Sequence, residues 1–564
     1  MRPPASLICC LLALVVCSPV AAAVSPSLPA TDSPAPTAAP APTGESVPTA
    51  ADALPPDAKS VSIAAVYPDP VAGGDRGEFV VLSVPPDTAL GEYRLTDGDG
   101  TATLPNATAT GRVVASTAPN HTRRFTDSRV VGLDGHLALA NGGDRIRLLR
   151  GDRTVDSVRY SEAIEGDLGV VNGSVVRWRP LGATDRPVLS APGGEVRAFA
   201  LPDAPGAPLG PIRSADERVL LAGYTLSSTR VADALLDARR RGATVRVLLE
   251  GEPVGERTAA EARTLDRLTD AGVSVRLVSG PRARYSYHHA KYAVADGRAV
   301  VLTENWKPAG TGGNSSRGWG VVTAQPRIVD GLASTFRADV GWRDSVAWER
   351  YRQGRRFERG ERATGAYPTE FSAESVAVRR TDLLVTPDNA QGELVGTLDR
   401  ATDSIDVIQP TVGDWDSPLL RALRRAASRG VEVRLLLSDA WYVREENQRT
   451  VERFRDWAER HDAPLSAKLA DPEGRYEKIH AKGAVVDGER VVVGSLNWNE
   501  QAATTNREVL LVLYGPEAAA YFGDVFDADW AGGGGVGFPV GLAAAVGGVL
   551  VVAGLAARRV RFEP

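Results

Sequence analysis

The chain has 564 residues and a mass of 59.6 kDa, too long for one ordinary domain. Its 43% hydrophobic and 24% charged residues are the make-up of a folded protein, and a net charge of -5 excludes one that coats nucleic acid along its whole length. All three cysteines (Cys9, Cys10, Cys17) lie near the start, so a disulfide scaffold, a Cys-ligated zinc site and a thiol nucleophile are excluded from the body of the chain.

In chain order, Met1-Arg2 precedes an apolar run from Leu7 to Cys17 and a small-residue exit at Ala21-Ala22-Ala23, which predicts a secretory signal peptide over 1–23. Residues 24–58 are Pro, Ala, Thr and Ser with almost no large apolar side chain. They cannot bury enough surface to fold and are expected to be a disordered linker. From Ser60 short alternating runs begin, such as Glu78-Phe-Val-Val-Leu-Ser, Glu92-Tyr-Arg-Leu-Thr and Arg145-Ile-Arg-Leu-Leu, separated by Pro, Gly and Asp turns. That texture predicts a small β-sandwich. Tyr67-Pro-Asp-Pro, Leu95-Thr-Asp-Gly and Leu139-Ala-Asn-Gly-Gly-Asp-Arg over 60–165 resemble the lamin-tail domain. The resemblance implies an immunoglobulin-like sandwich used for adhesion or positioning.

An internal repeat follows. Arg218-Val-Leu-Leu-Ala-Gly, a helical stretch from Ser227 to Arg241, and Gly242-Ala-Thr-Val-Arg-Val-Leu-Leu-Glu250 predict strand, helix, strand. Ser404-Ile-Asp-Val-Ile, a helix opened by Asp416-Ser417-Pro418, and Gly430-Val-Glu-Val-Arg-Leu-Leu-Leu437 repeat the order. Continuous apolar strands alternating with helices predict two α/β halves with buried sheets, over 205–345 and 376–530, joined by a linker at 346–375.

Each half carries one polar cluster. The first is His289-Ala-Lys291-Tyr-Ala-Val-Ala-Asp296, followed by Leu302-Thr303-Glu-Asn305. The second is His480-Ala-Lys482-Gly-Ala-Val-Val-Asp487, followed by Gly494-Ser495-Leu-Asn497. The chain holds only six histidines and six lysines, so a chance His-x-Lys-x4-Asp arises at roughly one position in 10^5. Two in register are a duplicated unit. If His and Lys lie two apart on a strand, they point to one side of it.

This spacing resembles the phospholipase D superfamily over about residues 205–530. The resemblance implies metal-free, cofactor-free covalent catalysis by both halves around one phosphodiester, in a monomer. It implies His289 as the nucleophile that forms a phosphohistidine and His480 as the acid, later the base that activates water. Lys291, Lys482, Asn305 and Asn497 would hold the non-bridging oxygens, and Thr303 and Ser495 would add hydroxyl contacts. Asp296 and Asp487 would brace the site. Arg284 and Arg475, five residues before each histidine, would guide an anionic substrate. Glu508, 28 residues after His480, matches the carboxylate that orients a histidine. The first copy has Leu302-Thr303 in place of Gly-Ser, and its corresponding stretch from Asn314 to Val322 offers no carboxylate.

Phe538 to Ala557 is uncharged, about twenty residues long and followed by Arg558-Arg559-Val560-Arg561, which predicts a transmembrane helix over 538–557 with the bulk of the chain outside the cell. The expected protein is therefore multidomain: an immunoglobulin-like β-sandwich, a duplicated α/β phospholipase D-type fold and a C-terminal transmembrane helix. Bilayer anchoring favours phospholipid as the substrate. A nuclease, or an inactive surface binding protein, stays open at this point.

Overall fold

Alternating side chains put Val80, Leu82 and Val84 of strand Phe79–Ala89 into one apolar cluster, and an irregularity between Ile63 and Ala65 brings both Ile63 and Val66 of strand Ser62–Tyr67 into it. Leu95, Ile146 and Leu148 from a second sheet close it. The computed structural model describes residues 60–532 except 71–76, 124, 125, 127, 182, 281, 282, 361 and 362. The expected signal peptide (1–23), linker (24–58) and transmembrane helix (538–557) lie outside the described residues. Among the described residues no helix is long and apolar enough to cross a membrane.

The N-terminal β region has a six-stranded and a five-stranded sheet. The first runs on past residue 165, because Asp167–Asn172 pairs with Ser62–Tyr67 and with Val175–Pro180. Its outer face is not wet throughout. Tyr67 stacks on Phe79 at 4.8 Å between ring centroids, and Val81, Val114, Leu168 and Leu181 bury beside them.

The repeat folds into one sheet with a near-palindromic strand order. Its centre is an antiparallel pair of long strands, Leu189–Leu201 and Glu374–Val385. Outward from that pair, the first half lays down Ser316–Thr323, Arg298–Leu302 and Tyr292–Ala295, then the parallel trio Arg218–Gly223, Thr244–Glu250 and Ser274–Val278. The second half answers with Val509–Tyr514, Arg490–Gly494 and Gly483–Val486, then the parallel trio Ser404–Gln409, Glu432–Leu437 and Leu465–Leu469. The expected helices form at Thr229–Arg241 and Pro418–Ser428. Ser228 Oγ caps the first by accepting from the Val231 N–H, and Gly242 ends it at φ 109°, where a side chain would be strained.

One face of this sheet is common to both halves. Helices Pro326–Val340 and Pro516–Ala531 bury Phe336, Phe522 and Phe526 in a single cluster with residues of both central strands. At about 1.5–3 kcal/mol for each fully buried large apolar side chain, this layer holds the halves together. Each half has its own second core, around Leu235 and Leu265 in the first and around Leu423 and Phe454 in the second.

Candidate active site

Both histidines sit just before a strand rather than on one: His289 precedes Tyr292–Ala295, and His480 precedes Gly483–Val486. Their backbones are tied across the halves. The His289 N–H donates to the Arg507 carbonyl and the His480 N–H to the Arg317 carbonyl, each at 2.9 Å. This exchange brings the two motifs to one place.

The carboxylates are exchanged in the same way. Both oxygens of Glu508 lie 2.9 Å from His289 Nδ1, so the carboxylate that follows the second motif orients the first histidine. A buried carboxylate against Nδ1 takes the Nδ1–H, which leaves the Nε2 lone pair free. His480 has an equivalent partner, which comes from outside the carboxylate-free stretch 314–322. Glu304 Oε2 is 3.2 Å from His480 Nδ1. Glu304 occupies the position of Leu496 in the second copy, and Gly318 stands where that copy has Glu508. A Cβ on Gly318 would come within 2.3 Å of Glu304 Cγ, so only glycine there lets the relocated side chain pass. Sequence reasoning missed Glu304. The available signal was a charged residue at 304 facing a leucine at 496 in an otherwise matching repeat.

The lysines close in behind the imidazoles. Lys291 Nζ donates to the His289 carbonyl at 2.7 Å, and Lys482 Nζ to the His480 carbonyl at 2.8 Å. Lys482 Nζ also lies 3.3 Å from His480 Nδ1. The edge of Tyr224 meets the His289 ring at 4.8 Å between centroids, and Lys291 lies 5.5 Å from the same tyrosine ring. Burial pushes both imidazoles down to about 4 from the ordinary 6.5. For His289, Glu508 works against that shift and Lys291 with it. For His480, Lys482 lowers and Glu304 raises. Burial also takes Lys482 down to about 8 and Lys291 well below the ordinary lysine value. Glu508 is itself pushed up by burial, but His289 and Lys291 more than reverse this and hold it below its ordinary value. The site thus sets two imidazoles, both made harder to protonate by burial, among two buried lysines and two buried glutamates.

Asn305 and Asn497 are half-buried and follow Thr303 and Ser495 by two residues. The two hydroxyls are fully buried and do a structural task, which corrects the expectation of substrate contacts. Thr303 Oγ1 accepts the Trp319 N–H and Ser495 Oγ accepts the Val509 N–H, each at 3.0 Å. Arg284 and Arg475 are also corrected. Arg284 is buried and forks onto Asp344 at 2.8 and 3.0 Å. Arg475 is buried against Asp529 at 2.9 Å. Neither guanidinium is open to an anion. Asp296 and Asp487 stand at the far ends of their strands from the histidines. Asp296 accepts backbone N–H groups of Asp216, Glu217 and Arg218, and Asp487 those of Thr402, Asp403 and Ser404. They brace the start of each neighbouring strand. His288, beside the first motif, turns into the interior, with its Nε2 3.5 Å from Asp339 Oδ2. Among the described residues no cluster of three metal-ligating side chains occurs.

Residues 209–340 and 394–530 match the family model described as cardiolipin synthase, PLD-like domain. The mitochondrial cardiolipin hydrolase of Xenopus tropicalis is 35% identical over 126 residues, 22% of this chain and 53% of that protein. The mouse (Mus musculus) mitochondrial cardiolipin hydrolase is 31% identical over 117 residues, 21% and 48% respectively. The chain spans about half the length of these curated relatives. A crystal structure of phosphatidylserine synthase from Haemophilus influenzae is similar at a TM-score of 0.45 and 15% identity, covering 59% of this chain and 86% of that one. The double match falls on the same two halves that exchange carboxylates at the histidines, and these two halves are phospholipase D-like domains.

Proposed function

We propose that this protein is an extracytoplasmic, membrane-anchored phosphodiesterase that hydrolyses phospholipids through a phosphohistidine intermediate. The observation that carries the reading is the pair of imidazoles, each oriented at Nδ1 by a buried carboxylate of the opposite half. His289 Nε2 attacks phosphorus and forms a P–N bond while the P–O bond to the leaving group breaks. His480 Nε2–H gives its proton to the departing oxygen. The now neutral His480 takes a proton from water, whose oxygen attacks phosphorus, and the P–N bond breaks. Lys291, Lys482, Asn305 and Asn497 stabilise the charge that develops on the non-bridging oxygens.

The assignment of nucleophile and acid rests on how the two rings are held. His289 is the more buried, with both carboxylate oxygens at 2.9 Å, which suits a nucleophile on a fixed approach. The His480 side chain is 23% exposed, as the group that exchanges protons with water should be. Phospholipid is favoured by the apolar run at 538–557, which would anchor the site beside a bilayer, and by the relatives named as cardiolipin hydrolases. The N-terminal β region, with its lamin-tail-like turns, would position the catalytic region at that surface.

The test is hydrolysis by the purified full-length protein of bis-(p-nitrophenyl) phosphate, phosphatidylcholine vesicles and single-stranded DNA in parallel. Turnover of the first two supports the proposal. Turnover of DNA with none of phospholipid replaces it by a nuclease. Turnover of nothing leaves a binding protein.

A further inference from the structure

Among the described residues of the catalytic region, the large apolar side chains that stand out in water are few and fall on two loops. Val254 is 75% exposed, Trp441 88% and Tyr442 50%. The other exposed large apolar residues, Val155, Ile164 and Val175, belong to the N-terminal β region. The two loops are equivalent in the repeat. Residues 251–257 follow strand Thr244–Glu250, and residues 438–443 follow Glu432–Leu437, the middle strand of each parallel trio.

Both loops flank the catalytic groups. The Val254 N–H donates to the Tyr224 hydroxyl at 2.6 Å, and Tyr224 is the ring whose edge rests on His289. On the other side, Lys478 Nζ lies 5.4 Å from the Tyr442 ring, two residues before His480. Trp441 meets Tyr442 edge to face at 5.6 Å, so the two rings form a pair whose outer part has only solvent around it.

We propose that these loops form a rim that seats the mouth of the active site on a zwitterionic phospholipid surface. The inference rests on the phospholipid reading above and deepens it. Tryptophan and tyrosine are the side chains that favour the headgroup boundary, because an apolar ring and a polar edge are both satisfied there. Charge selects the kind of surface. The exposed charges on and beside the loops include Glu256, Glu445 and Glu446, while Glu252 faces Arg355 at 3.7 Å and Arg444 is taken up by an ion pair with Asp439. An acidic rim repels a polyanion such as nucleic acid, whose binding rests on phosphate neutralisation. A bilayer without net charge meets no such penalty and takes up the apolar tips.

The experiment compares full-length wild type, Trp441→Ala and Trp441→Phe on phosphatidylcholine vesicles, on soluble bis-(p-nitrophenyl) phosphate and on single-stranded DNA. Trp441→Ala is expected to lower the vesicle rate at limiting lipid about tenfold, leave the soluble rate within about twofold, and be largely rescued by Trp441→Phe. An unchanged vesicle rate in Trp441→Ala overturns the rim, as does an equal loss on both substrates, which would make Trp441 structural. A selective loss of single-stranded DNA cleavage would make the ring a base-stacking platform instead. Wild type that turns over the soluble diester but not vesicles defeats the rim and leaves the phosphodiesterase standing. Wild type that turns over neither defeats both.

Discussion

At the scale of single residues, the two histidines differ in how tightly they are held, and this difference can be read in a burst. The p-nitrophenolate of bis-(p-nitrophenyl) phosphate leaves without a proton, so forming the phosphohistidine needs the nucleophile alone, whereas hydrolysing it needs the base. His480→Asn is expected to release about one p-nitrophenol per site and then stop, and His289→Asn to give no burst. The opposite pattern would exchange the two roles. Glu304→Gln keeps a hydrogen-bonding group at His480 Nδ1 but removes the charge that stabilises the imidazolium. It should lower kcat about 10²-fold or more with little change in KM or folded stability. A wild-type kcat would remove Glu304 from the site. The pH profile follows from burial. Both imidazoles titrate near 4 in the free protein, so the nucleophile is neutral at pH 7 while the acid has largely lost its proton. kcat/KM should therefore peak below pH 6.5 and fall as pH rises. A bound phosphodiester anion favours the imidazolium, so the falling limb of kcat should lie at higher pH than that of kcat/KM. Coincident limbs would contradict that account.

Between elements, the halves are fastened by a duplicated pair of buried ion clusters. Arg507, ahead of strand Val509–Tyr514, reaches Asp339 of helix Pro326–Val340 at 3.1 Å and lies over the Tyr285 ring at 4.2 Å. Arg317, on strand Ser316–Thr323, reaches Asp529 of helix Pro516–Ala531 at 2.9 Å and lies over the Tyr476 ring at 4.6 Å. Each cluster joins a strand of one half to a helix of the other, and the carbonyls of these same arginines hold the two histidines. Arg507 keeps Asp339 charged, well below the ordinary aspartate range, although burial works against it. Asp339→Ala leaves Arg507 with one buried carboxylate, Asp388 at 3.5 Å, and should cost about 2–4 kcal/mol, read as a lower denaturant midpoint. A loss under about 1 kcal/mol would show that the cluster is not a brace. The arginines also show where sequence reading stops. Arg284 and Arg475 were legible as repeated cations beside each motif, but their carboxylates lie 60 and 54 residues away. An arginine whose partner comes from a distant segment has the same local pattern as one facing solvent, and so both were expected at the substrate.

Across the whole molecule, the duplication, the α/β strands and the registered motifs could be read from the chain because each leaves a local or periodic trace. The pairing of one half with the other leaves none, since register between repeats is set by packing in the shared face and not by spacing. That is why Glu508 was legible as an orienting carboxylate but not as the partner of His289, and why Glu304 passed unseen. The exchange makes each half incomplete: His289 depends on Glu508 and His480 on Glu304, and strand Leu189–Leu201 is paired along most of its length with Glu374–Val385. If the chain is divided within 346–375 and the two pieces are expressed together, turnover of bis-(p-nitrophenyl) phosphate should return, because both long strands and both carboxylates are then present. Either piece alone should give none. The second piece is the stricter arm. It carries a complete motif with its own carboxylate, so two copies could in principle oppose His480 with Glu508. What such a pair lacks is Tyr285 and helix Pro326–Val340, the groups that receive Arg507 in the native packing. Turnover by the second piece alone would show that self-pairing suffices and that the first half is dispensable for chemistry. No turnover from the pieces together would mean that the continuous chain is needed to set the register.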